Sequence, residues 1–436
     1  MIGPFVLRIL VVSLLSALAA SAAPPPEADR PNVVLLSVDT LRADYLGAYD
    51  CAVDTSPNLD AFAKEALVFT DAVCEVPLTG PSFGSMLTGR FPRMTGTTRN
   101  GLRMPDDVPL VSERFKEAGY HTFCVQSNWT LKAHLSGLDR GFDTYADGFE
   151  KKRWGFIKPE RLADDVTDVA LKLLEEREPD APFFAWIHYT DPHAPYIFRK
   201  QFNPAMKPRF FMKNKHKVRF KYASEVAFTD HHIGRLLEAL PRKNTFILFV
   251  ADHGESLYEH DYLGHGRRIF QTGMHIPMMI RGKGVLPGYT AEPARGIDIG
   301  PTLLGLANLA PPESMLGLDI TRHAPKPGRV RVFETYGGAV PGLPGAEALM
   351  ADAPPMRQGV IAGGWKLILG GGAPQLYYLP DDPGEEENLA PAEPERVRAL
   401  ETHIEAWDTD TAKGEENVSE LSTEDEHALE ALGYIE

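Results

Sequence analysis

Short apolar runs that each end in polar residues are the main pattern of this chain. Four of them cover residues 33–38 (VVLLSV), 121–126 (HTFCVQ), 183–189 (FFAWIHY) and 246–250 (FILFV). Runs of this length are typical of buried parallel strands. Helical patterns lie between them, among them residues 56–69 (SPNLDAFAKEALVF) and 225–240 (EVAFTDHHIGRLLEAL). The alternation predicts an α/β protein with a large, mostly parallel central sheet flanked by helices.

The pattern changes beyond about residue 325, where Gly- and Pro-rich turns become frequent. Two apolar runs follow, at residues 359–369 (GVIAGGWKLIL) and 376–382 (LYYLPDD), and then a helical pattern at residues 394–407. Two strands covered by a helix predict a small antiparallel C-terminal subdomain. The acidic tail from Asp408 onward ends in HALEALGYIE, which we expect to form a short helix packed on the body. We therefore expect a large domain over residues 30–325 and a subdomain over residues 326–436.

Acidic and imidazole side chains follow three of the predicted strands. Asp39 follows the first run, His193 lies shortly after the third, and Asp252 and His253 follow the fourth. Each alone could cap a helix or bind loop backbone. Ligands of open α/β sheets bind beyond the carboxyl ends of the strands, so their convergence favours a shared site.

Two carboxylates and an imidazole form a set suited to a divalent cation. Asp39, Asp252 and His253 would fit Mn, Zn, Mg or Ca to differing degrees. Thr79 lies in EVPLTGPSFGSMLTGR (75–90), where Pro81 suits a first helical turn and the helix start favours an anion. As a fourth ligand, Thr79 would become a nucleophile because the cation lowers the pKa of its hydroxyl. The alternative is that Thr79 only caps the helix.

Two further histidines are candidates for acid catalysis. His193, in HYTDPHAPY, and His265, in EHDYLGHGRR, could protonate a leaving oxygen and hold the non-bridging oxygens. His260 is an alternative to His265.

Composition narrows the classes of partner. At 436 residues the chain should form about two domains. It carries 45 Lys and Arg against 60 Asp and Glu, a net charge of -15, which argues against binding nucleic-acid polymers. The three cysteines, Cys51, Cys74 and Cys124, allow at most one internal disulfide and lack the spacing of a zinc site.

The first residues are typical of an export signal. Arg8 precedes an apolar run from Ile9 to Ala20, and a small-residue cleavage pattern follows at residues 20–22. A leader over residues 1–22 predicts a periplasmic or extracellular protein, with an uncleaved N-terminal anchor as the alternative.

Several motifs in the same order carry a family resemblance. PNVVLLSVDTLRADYLGAY, SPNLDAFAKEALVFTDA, SMLTGRFP, HYTDPHAPY, YASEVAFTDHHIGRLLEAL, ADHGESLYEHDYLGHG and QLYYLPDDPGEEENLA together resemble the sulfatases, within the alkaline phosphatase superfamily. The resemblance implies the alkaline-phosphatase-like α/β core, a small C-terminal subdomain and a metal-dependent, ester-hydrolysing site. It places Asp39, Asp252 and His253 on metal-ligand positions, Thr79 on the nucleophile, and His193 and His265 on substrate contacts.

Two departures from the family pattern bear on the chemistry. Sulfatases carry Cys or Ser followed by x-Pro-Ser-Arg, and a maturation enzyme converts that first residue to formylglycine. Here the element reads Thr79-Gly80-Pro81-Ser82-Phe83. Oxidation of threonine would give a ketone rather than that aldehyde, so no formylglycine is expected.

The second departure is Thr40, which replaces the second Asp of the family's Asp-Asp pair. The remaining quartet of Asp39, Thr79, Asp252 and His253 is similar to that of lipoteichoic acid synthases and phosphoethanolamine transferases. Those enzymes use a threonine nucleophile on phosphodiesters. An unmodified alkoxide suits phosphoryl transfer, since water can cleave a phosphothreonine, whereas a sulfated threonine lacks the hemiacetal route that releases sulfate.

Substrate contacts are expected from a basic segment and from one asparagine. Residues 198–222 carry nine Lys and Arg, Lys213 and Lys215 among them, and could gather a polyanionic glycan, a lipid headgroup or a nucleotide. That segment would also allow peripheral membrane contact. The alternative is a solvated loop that offsets acidic neighbours. Asn128 begins a glycosylation sequon, but its place at a strand end favours a structural or substrate-binding role.

These observations predict an exported, metal-dependent hydrolase in which Thr79 attacks an anionic ester, with phosphate mono- or diesters favoured over sulfate. Its substrate would be an anionic small molecule, glycan or lipid-headgroup ester. A true sulfatase and a phospho-group transferase are alternatives within the enzyme class. A non-catalytic binder of sulfated or phosphorylated glycans is the alternative from another class. Nothing in the sequence sets the oligomeric state.

Overall fold

The computed structural model describes residues 30–148, 152–153, 156–157, 161–202, 214–337, 358–419 and 421–431. The strands of the N-terminal two thirds are β1 (Asn32–Val38), β2 (Leu67–Phe69), β3 (Ala72–Val73), β4 (His121–Val125), β5 (Thr144–Ala146), β6 (Lys152–Arg153), β7 (Phe156–Ile157), β8 (Phe183–Tyr189), β9 (Thr245–Ala251), β10 (Ser256–Leu257), β11 (Leu263–Gly264), β12 (Met278–Arg281), β13 (Gly288–Thr290) and β14 (Ala294–Arg295). The strands of the C-terminal part are β15 (Arg331–Glu334), β16 (Gln358–Ala362), β17 (Trp365–Leu369) and β18 (Gln375–Tyr378).

Helices of varied length connect and cover these strands. They are α1 (Pro57–Ala63), α2 (Thr79–Thr88), α3 (Pro92–Thr95), α4 (Val111–Glu117), α5 (Ala133–Ser136), α6 (Ala163–Glu176), α7 (Asn214–Ala239), α8 (Gln271–Met274), α9 (Ile299–Leu306), α10 (Pro394–Asp410) and α11 (Thr423–Ala431). Short 3-10 turns lie at Ala43–Tyr45, Gly47–Tyr49, Trp129–Leu131, Lys200–Phe202, Glu259–Asp261 and Gly296–Asp298.

The central sheet has eight strands in the order β13-β2-β12-β9-β1-β8-β4-β5. The strands from β9 to β5 are parallel, and β12 runs antiparallel to both β9 and β2. The predicted fold, a large mostly parallel sheet with helices and a small C-terminal sheet, is confirmed. The apolar runs become strands because helices cover both faces of the sheet and leave β1 and β8 buried along most of their length.

Strand register brings the ends of three strands together. Val38 at the end of β1 lies opposite Ala251 at the end of β9 and opposite Tyr189 at the end of β8. Residues just beyond these ends therefore emerge side by side at one edge of the sheet.

The prediction that residues 56–69 form one helical segment is wrong at its C-terminal end. Helix α1 ends at Ala63, and Leu67–Phe69 form β2. Val68 and Phe69 are fully buried, and β2 pairs with β12 on one side and β13 on the other. The sheet contacts outweigh the local helical periodicity.

The described residues of the C-terminal part form four strands where the sequence predicts two. Residues 359–369 fold as the hairpin β16–β17 rather than as one strand, because Gly363 and Gly364 adopt positive φ angles of 57° and 82° and reverse the chain. Strands β15 and β18 complete an antiparallel sheet. Helix α10 packs on it through a stripe of buried side chains formed by Val397, Leu400, Ile404 and Trp407.

The tail returns to the body of the protein, as the sequence predicts. In α11, Leu429 is buried, and Asp425 accepts a hydrogen bond from the indole of Trp129 at 3.0 Å. All three cysteines are free thiols. The predicted leader lies outside the described residues. Among the residues that are described, no helix is both long enough and apolar enough to cross a membrane.

Candidate active site

Asp39, Asp252 and His253 form a buried cluster at the carboxyl edge of the sheet, which we call the acidic cluster. Each offers one ligand atom, and the three atoms lie within 4.8 Å of one another. All three side chains are fully buried. Asp39 directly follows β1 and Asp252 directly follows β9, whose last residues are paired. The sheet register therefore builds this cluster, as the sequence predicts.

The ligand atoms of the acidic cluster face one another with their lone pairs. His253 Nδ1 donates to the carbonyl of Gly254 at 2.9 Å, which leaves a lone pair on Nε2. That nitrogen lies 3.4 Å from Asp252 Oδ2 and 3.8 Å from Asp39 Oδ1. Neither carboxylate oxygen receives a hydrogen bond from the described residues. Buried acceptors that face one another without a donor are costly, and a bound cation would satisfy them.

Ionisation of the two carboxyl groups is coupled through their proximity. Burial and the negative charge of Asp39 raise the pKa of Asp252 well above its ordinary value. Burial opposes ionisation of Asp39 too, but attraction to the nearby imidazoles of His188, His193 and His253 outweighs it and lowers the pKa of Asp39. Burial also lowers the pKa of His253 to about 4. His253 is therefore neutral near pH 7, the form in which an imidazole binds a metal.

Thr79 is the first residue of α2 and points to the acidic cluster. Its Oγ1 lies 3.4 Å from His253 Nε2, and its side chain is fully buried. Two contacts hold the start of the helix: Gly80 donates its N–H to Asn100 Oδ1 at 2.8 Å, and Ser82 donates its hydroxyl to the carbonyl of Asp252 at 2.7 Å. Thr79 thus comes within reach of the cluster although it is distant from both strands in the sequence.

His193 and His265 contact each other beside the acidic cluster. Their Nε2 atoms are 3.2 Å apart, and the ring of His265 lies 4.5 Å from that of His253. The Nδ1 atoms face the carbonyls of Ala194 and Pro77 at 2.6 and 3.1 Å, so each Nδ1 carries a hydrogen. The two Nε2 atoms can therefore share one additional proton. Burial and the neighbouring imidazoles lower the pKa of His265 well below its ordinary value.

His260, the alternative to His265, lies apart from these contacts. Its ring stacks on Phe270 with 3.7 Å between the ring centres. His265, and not His260, therefore joins His193.

Asn128 contacts the acidic cluster directly. Its Nδ2 donates to Asp39 Oδ2 at 2.5 Å, and its Oδ1 accepts from the N–H and hydroxyl of Thr130, each at 2.9 Å. The amide is fully buried, and these hydrogen bonds orient Asp39. A contact between Asn128 and substrate stays a prediction.

Two buried titratable residues near Asp39 were not identified from the sequence. His188 lies inside β8, fully buried, with Nδ1 3.1 Å from Ser37 Oγ and Nε2 3.8 Å from Asp39 Oδ2. Glu255 follows His253 by two residues, and burial raises its pKa well above the ordinary value. A histidine inside an otherwise apolar strand was the available signal for His188.

Thr40 occupies a strained position between these groups. Its φ of 53° is unusual for a β-branched residue. In this conformation its N–H donates to Asp252 Oδ1 at 3.1 Å, and its carbonyl accepts from the Tyr222 hydroxyl at 2.7 Å. Thr40 thus holds Asp252 through its backbone.

The basic segment is only partly described. Lys213 lies outside the described residues, and Lys215 is exposed in the first turn of α7. Arg199 pairs with Asp191 at 3.1 Å, and Arg219 pairs with Glu259 at 2.8 Å. At least these two charges offset acidic neighbours, as the alternative interpretation expects.

Comparison with known proteins agrees with this architecture. The model of the Sulfatase family matches residues 31–309, more than half of the chain. An ulvan-active sulfatase of Formosa agariphila is 29% identical over 368 residues, which cover 73% of this chain and 71% of that protein. A protein solved in complex with its substrate D-glucosamine-2-N,6-O-disulfate has a TM-score of 0.72 at 19% identity, covering 87% of this chain and 98% of its own. The phosphonate monoester hydrolase of Agrobacterium radiobacter has a TM-score of 0.69 at 20% identity, covering 91% and 99%.

The fold and the buried acidic cluster together define a hydrolase of the alkaline phosphatase superfamily that cleaves ester bonds. Within that superfamily, the chain belongs to the sulfatase family.

Proposed function

We propose that this hydrolase cleaves phosphate mono- or diesters in preference to sulfate esters, with Thr79 as the nucleophile. The observation that carries the proposal is the position of Thr79 Oγ1, 3.4 Å from the His253 Nε2 lone pair and beside two carboxylates that lack hydrogen-bond donors. A divalent cation held by Asp39, Asp252, His253 and Thr79 would lower the pKa of the Thr79 hydroxyl and offset the charge of the ester oxygens.

Residues of the chain would carry out the bond exchange, the proton transfers and the positioning of the carboxylates. Thr79 Oγ forms a bond to phosphorus while the bond to the leaving oxygen breaks, and that oxygen takes the proton shared by His193 and His265. Water then attacks the phosphothreonine, returns a proton to the histidine pair and releases phosphate or a phosphate monoester. Asn128 and Thr40 hold the two carboxylates through hydrogen bonds of 2.5 and 3.1 Å.

The preference for phosphorus follows from the side chain at position 79. A phosphothreonine can be cleaved by water at phosphorus, whereas a sulfated threonine has no hemiacetal from which to eliminate sulfate. The similarity to an ulvan-active sulfatase favours a sulfate ester as the second candidate substrate. A phosphate ester would give a phosphothreonine by attack on phosphorus, whereas a sulfate ester would give a sulfated threonine by attack on sulfur.

The test compares three aryl esters and two threonine variants. Full-length protein is assayed with Mn, Zn, Mg or Ca on 4-nitrophenyl phosphate, bis-4-nitrophenyl phosphate and 4-nitrophenyl sulfate. We expect turnover of a phosphate ester, loss of at least about a thousandfold in Thr79→Ala, and partial retention in Thr79→Ser.

Thr88→Ala serves as the matched control, because Thr88 lies on the same helix and bonds only within it and to the following turn. Intact-mass spectrometry of acid-quenched protein should show a phosphoryl group on Thr79. Undiminished turnover in Thr79→Ala would remove the nucleophile assignment, and turnover of the sulfate ester alone would reverse the substrate preference.

A further inference from the structure

Hydrogen bonds around the acidic cluster limit the number of oxygens that it can offer to a cation. A carboxylate has two oxygens, each with two lone pairs, and it can bind a hard cation through one oxygen or through both. In this protein, donors of the chain already occupy one oxygen of each carboxylate. The cluster therefore presents fewer free oxygens than two carboxylates could supply.

Asp252 has one oxygen available. Its Oδ1 accepts the backbone N–H of Thr40 at 3.1 Å and that of His253 at 2.8 Å, so both lone pairs of this oxygen are used. Its Oδ2 lies 3.4 Å from His253 Nε2 and receives no hydrogen bond from the described residues. Asp252 can therefore bind a cation through Oδ2 alone.

Asp39 is restricted in a similar way by Asn128. Asp39 Oδ2 accepts the Asn128 amide at 2.5 Å, and the amide is itself oriented because its oxygen accepts two hydrogen bonds from Thr130. The other oxygen, Asp39 Oδ1, lies 3.8 Å from His253 Nε2 and has no donor among the described residues. Asp39 therefore also contributes a single oxygen.

No other acidic or imidazole side chain joins the cluster within the described part of the chain. Glu255 is buried two residues after His253 but is not among the three side chains whose ligand atoms meet within 4.8 Å. Thr40, at the position of the family's second Asp, brings no carboxylate. Thr79 Oγ1, 3.4 Å from His253 Nε2, completes a set of three oxygens and one nitrogen from four side chains.

This donor set matches the coordination of one cation in particular. Ca²⁺ takes about six to eight oxygens, and Mg²⁺ requires an octahedron of oxygens. Zn²⁺ is usually tetrahedral, accepts imidazole nitrogen, and in catalytic sites binds three protein side chains and leaves one position to the reacting oxygen. Mn²⁺ binds the same ligands more weakly than Zn²⁺.

The spacing of the donor atoms agrees with a tetrahedral site. In a tetrahedron with bonds of about 2.0–2.1 Å, neighbouring ligand atoms lie about 3.3–3.4 Å apart. Asp252 Oδ2 and Thr79 Oγ1 each lie 3.4 Å from His253 Nε2.

We propose that the acidic cluster selects Zn²⁺ over Ca²⁺ and Mg²⁺, because the donors from Thr40, His253 and Asn128 keep both carboxylates monodentate. This proposal rests on the proposed function for the place of Thr79 as the fourth ligand, but metal binding does not require turnover of any ester.

The test measures metal binding without an enzyme assay. Full-length protein is stripped of metal with chelator, dialysed, and titrated by calorimetry with Zn²⁺, Mn²⁺, Mg²⁺ and Ca²⁺. We expect one Zn²⁺ per chain, bound at least about a hundredfold more tightly than Ca²⁺ or Mg²⁺. Co²⁺, the usual spectroscopic substitute for Zn²⁺, should give the intense visible absorption of a four-coordinate site.

Two variants test the role of the donors. Thr40→Asp adds a carboxylate at a position whose positive φ an Asp adopts more readily than a Thr, and Asn128→Leu removes the donor from Asp39 Oδ2. We expect each variant to lower the ratio of Zn²⁺ to Ca²⁺ affinity at least about tenfold.

Matched controls should leave that ratio unchanged. Asn32→Leu removes an amide that also donates and accepts hydrogen bonds, but at the opposite end of β1. Thr402→Asp adds the same charge at an exposed position of α10. Thermal midpoints verify that every variant is folded.

The outcomes separate this proposal from the proposed function. Wild-type protein that binds Ca²⁺ or Mg²⁺ as tightly as Zn²⁺, or a weak, six-coordinate Co²⁺ spectrum, would overturn the zinc assignment whatever the ester assays show. A ratio unchanged in both Thr40→Asp and Asn128→Leu would overturn the role of the donors. Conversely, zinc selectivity that both variants lose supports the proposal even if no phosphate ester is turned over.

Discussion

Two buried groups of charges in this protein have opposite arrangements. In the acidic cluster, Asp39 Oδ1 and Asp252 Oδ2 face the His253 lone pair and receive no hydrogen bond from the described residues. At the junction with the C-terminal sheet, Lys366 and Glu385 form an ion pair of 2.6 Å with almost no exposure. Gln271 supports that pair through both its side chain and its backbone N–H.

The difference separates a structural charge from a functional one. Lys366 and Glu385 satisfy each other, so the chain alone completes that site. In the acidic cluster, two buried carboxyl groups lie side by side, and Asp39 Oδ1 and Asp252 Oδ2 have no donor among the described residues. A bound cation would satisfy these two oxygens. Burial alone therefore does not mark a candidate ligand carboxylate, and a missing hydrogen-bond donor in a group of facing acceptors is the additional feature that does.

The largest expected effect comes from removing one charge of the acidic cluster. Asp252→Asn should lower turnover by about a thousandfold, since a metal contributes several kcal/mol to the reaction. It should also abolish the rise in melting temperature that the divalent cation produces in wild type. Steady-state kinetics and calorimetry with and without the cation measure both effects. Asp50→Asn, at an exposed loop, is the control, and cation-dependent stabilisation that survives in Asp252→Asn would contradict the ligand assignment.

Breaking the ion pair of Lys366 and Glu385 should lower the stability of the fold rather than the rate of the reaction. Lys366→Met leaves Glu385 buried without its partner, and we expect unfolding free energy to fall by about 3–5 kcal/mol. Urea denaturation measures this change. The double variant Lys366→Met/Glu385→Gln should recover part of the loss. A single-variant loss within experimental error would show that the pair is not structural.

When no cation is present, replacing Asp252 by asparagine should raise the stability of the fold, whereas replacing Lys366 by methionine lowers it. In chelator, burial and the charge of Asp39 disfavour the ionised form of Asp252. Asp252→Asn removes that cost, and an asparagine oxygen can still accept the N–H groups of Thr40 and His253. We expect the variant to be more stable than wild type by about 1–3 kcal/mol. Urea denaturation in chelator tests this comparison, and a destabilised variant would mean that the carboxylate is already compensated within the chain.

The smallest expected effect concerns the tail. Asp425 binds the Trp129 indole at 3.0 Å and lies 2.9 Å from His134 Nε2. Burial opposes its ionisation, but hydrogen bonds from Ser422 and His134 lower the pKa of Asp425 below its ordinary 3.8. Its ionised form therefore adds stability above that ordinary value, and this contribution is lost as pH falls through the lowered pKa.

Asp425→Asn should cost about 1 kcal/mol near neutral pH, and the cost should shrink at the lowest pH at which the fold survives. Denaturation at both pH values measures it. A difference between Asp425→Asn and wild type that does not change with pH would argue against an ionised Asp425.

Much of the fold and site was predictable from local pattern. The runs that became β1, β4, β8 and β9 are mostly apolar, and a strand buried on both faces favours that composition. Asp39, Asp252 and His253 directly follow such runs, so the topology of an α/β sheet was enough to bring them together. The helical interpretation of Leu67–Phe69 failed because three residues carry too little periodicity to oppose pairing with β12 and β13.

The sequence by itself therefore determined the α/β class, the strand ends that bear the acidic cluster and the unusual threonine at position 79. Only the tertiary structure decided that His193 meets His265 rather than His260, that Asn128 holds Asp39, and that Thr79 comes within reach of His253. The physical reason is the separation along the chain of the residues that interact. Strand identity depends on neighbouring residues along the chain, whereas these contacts join segments distant in sequence, whose approach depends on how the whole sheet, its helices and the C-terminal tail pack.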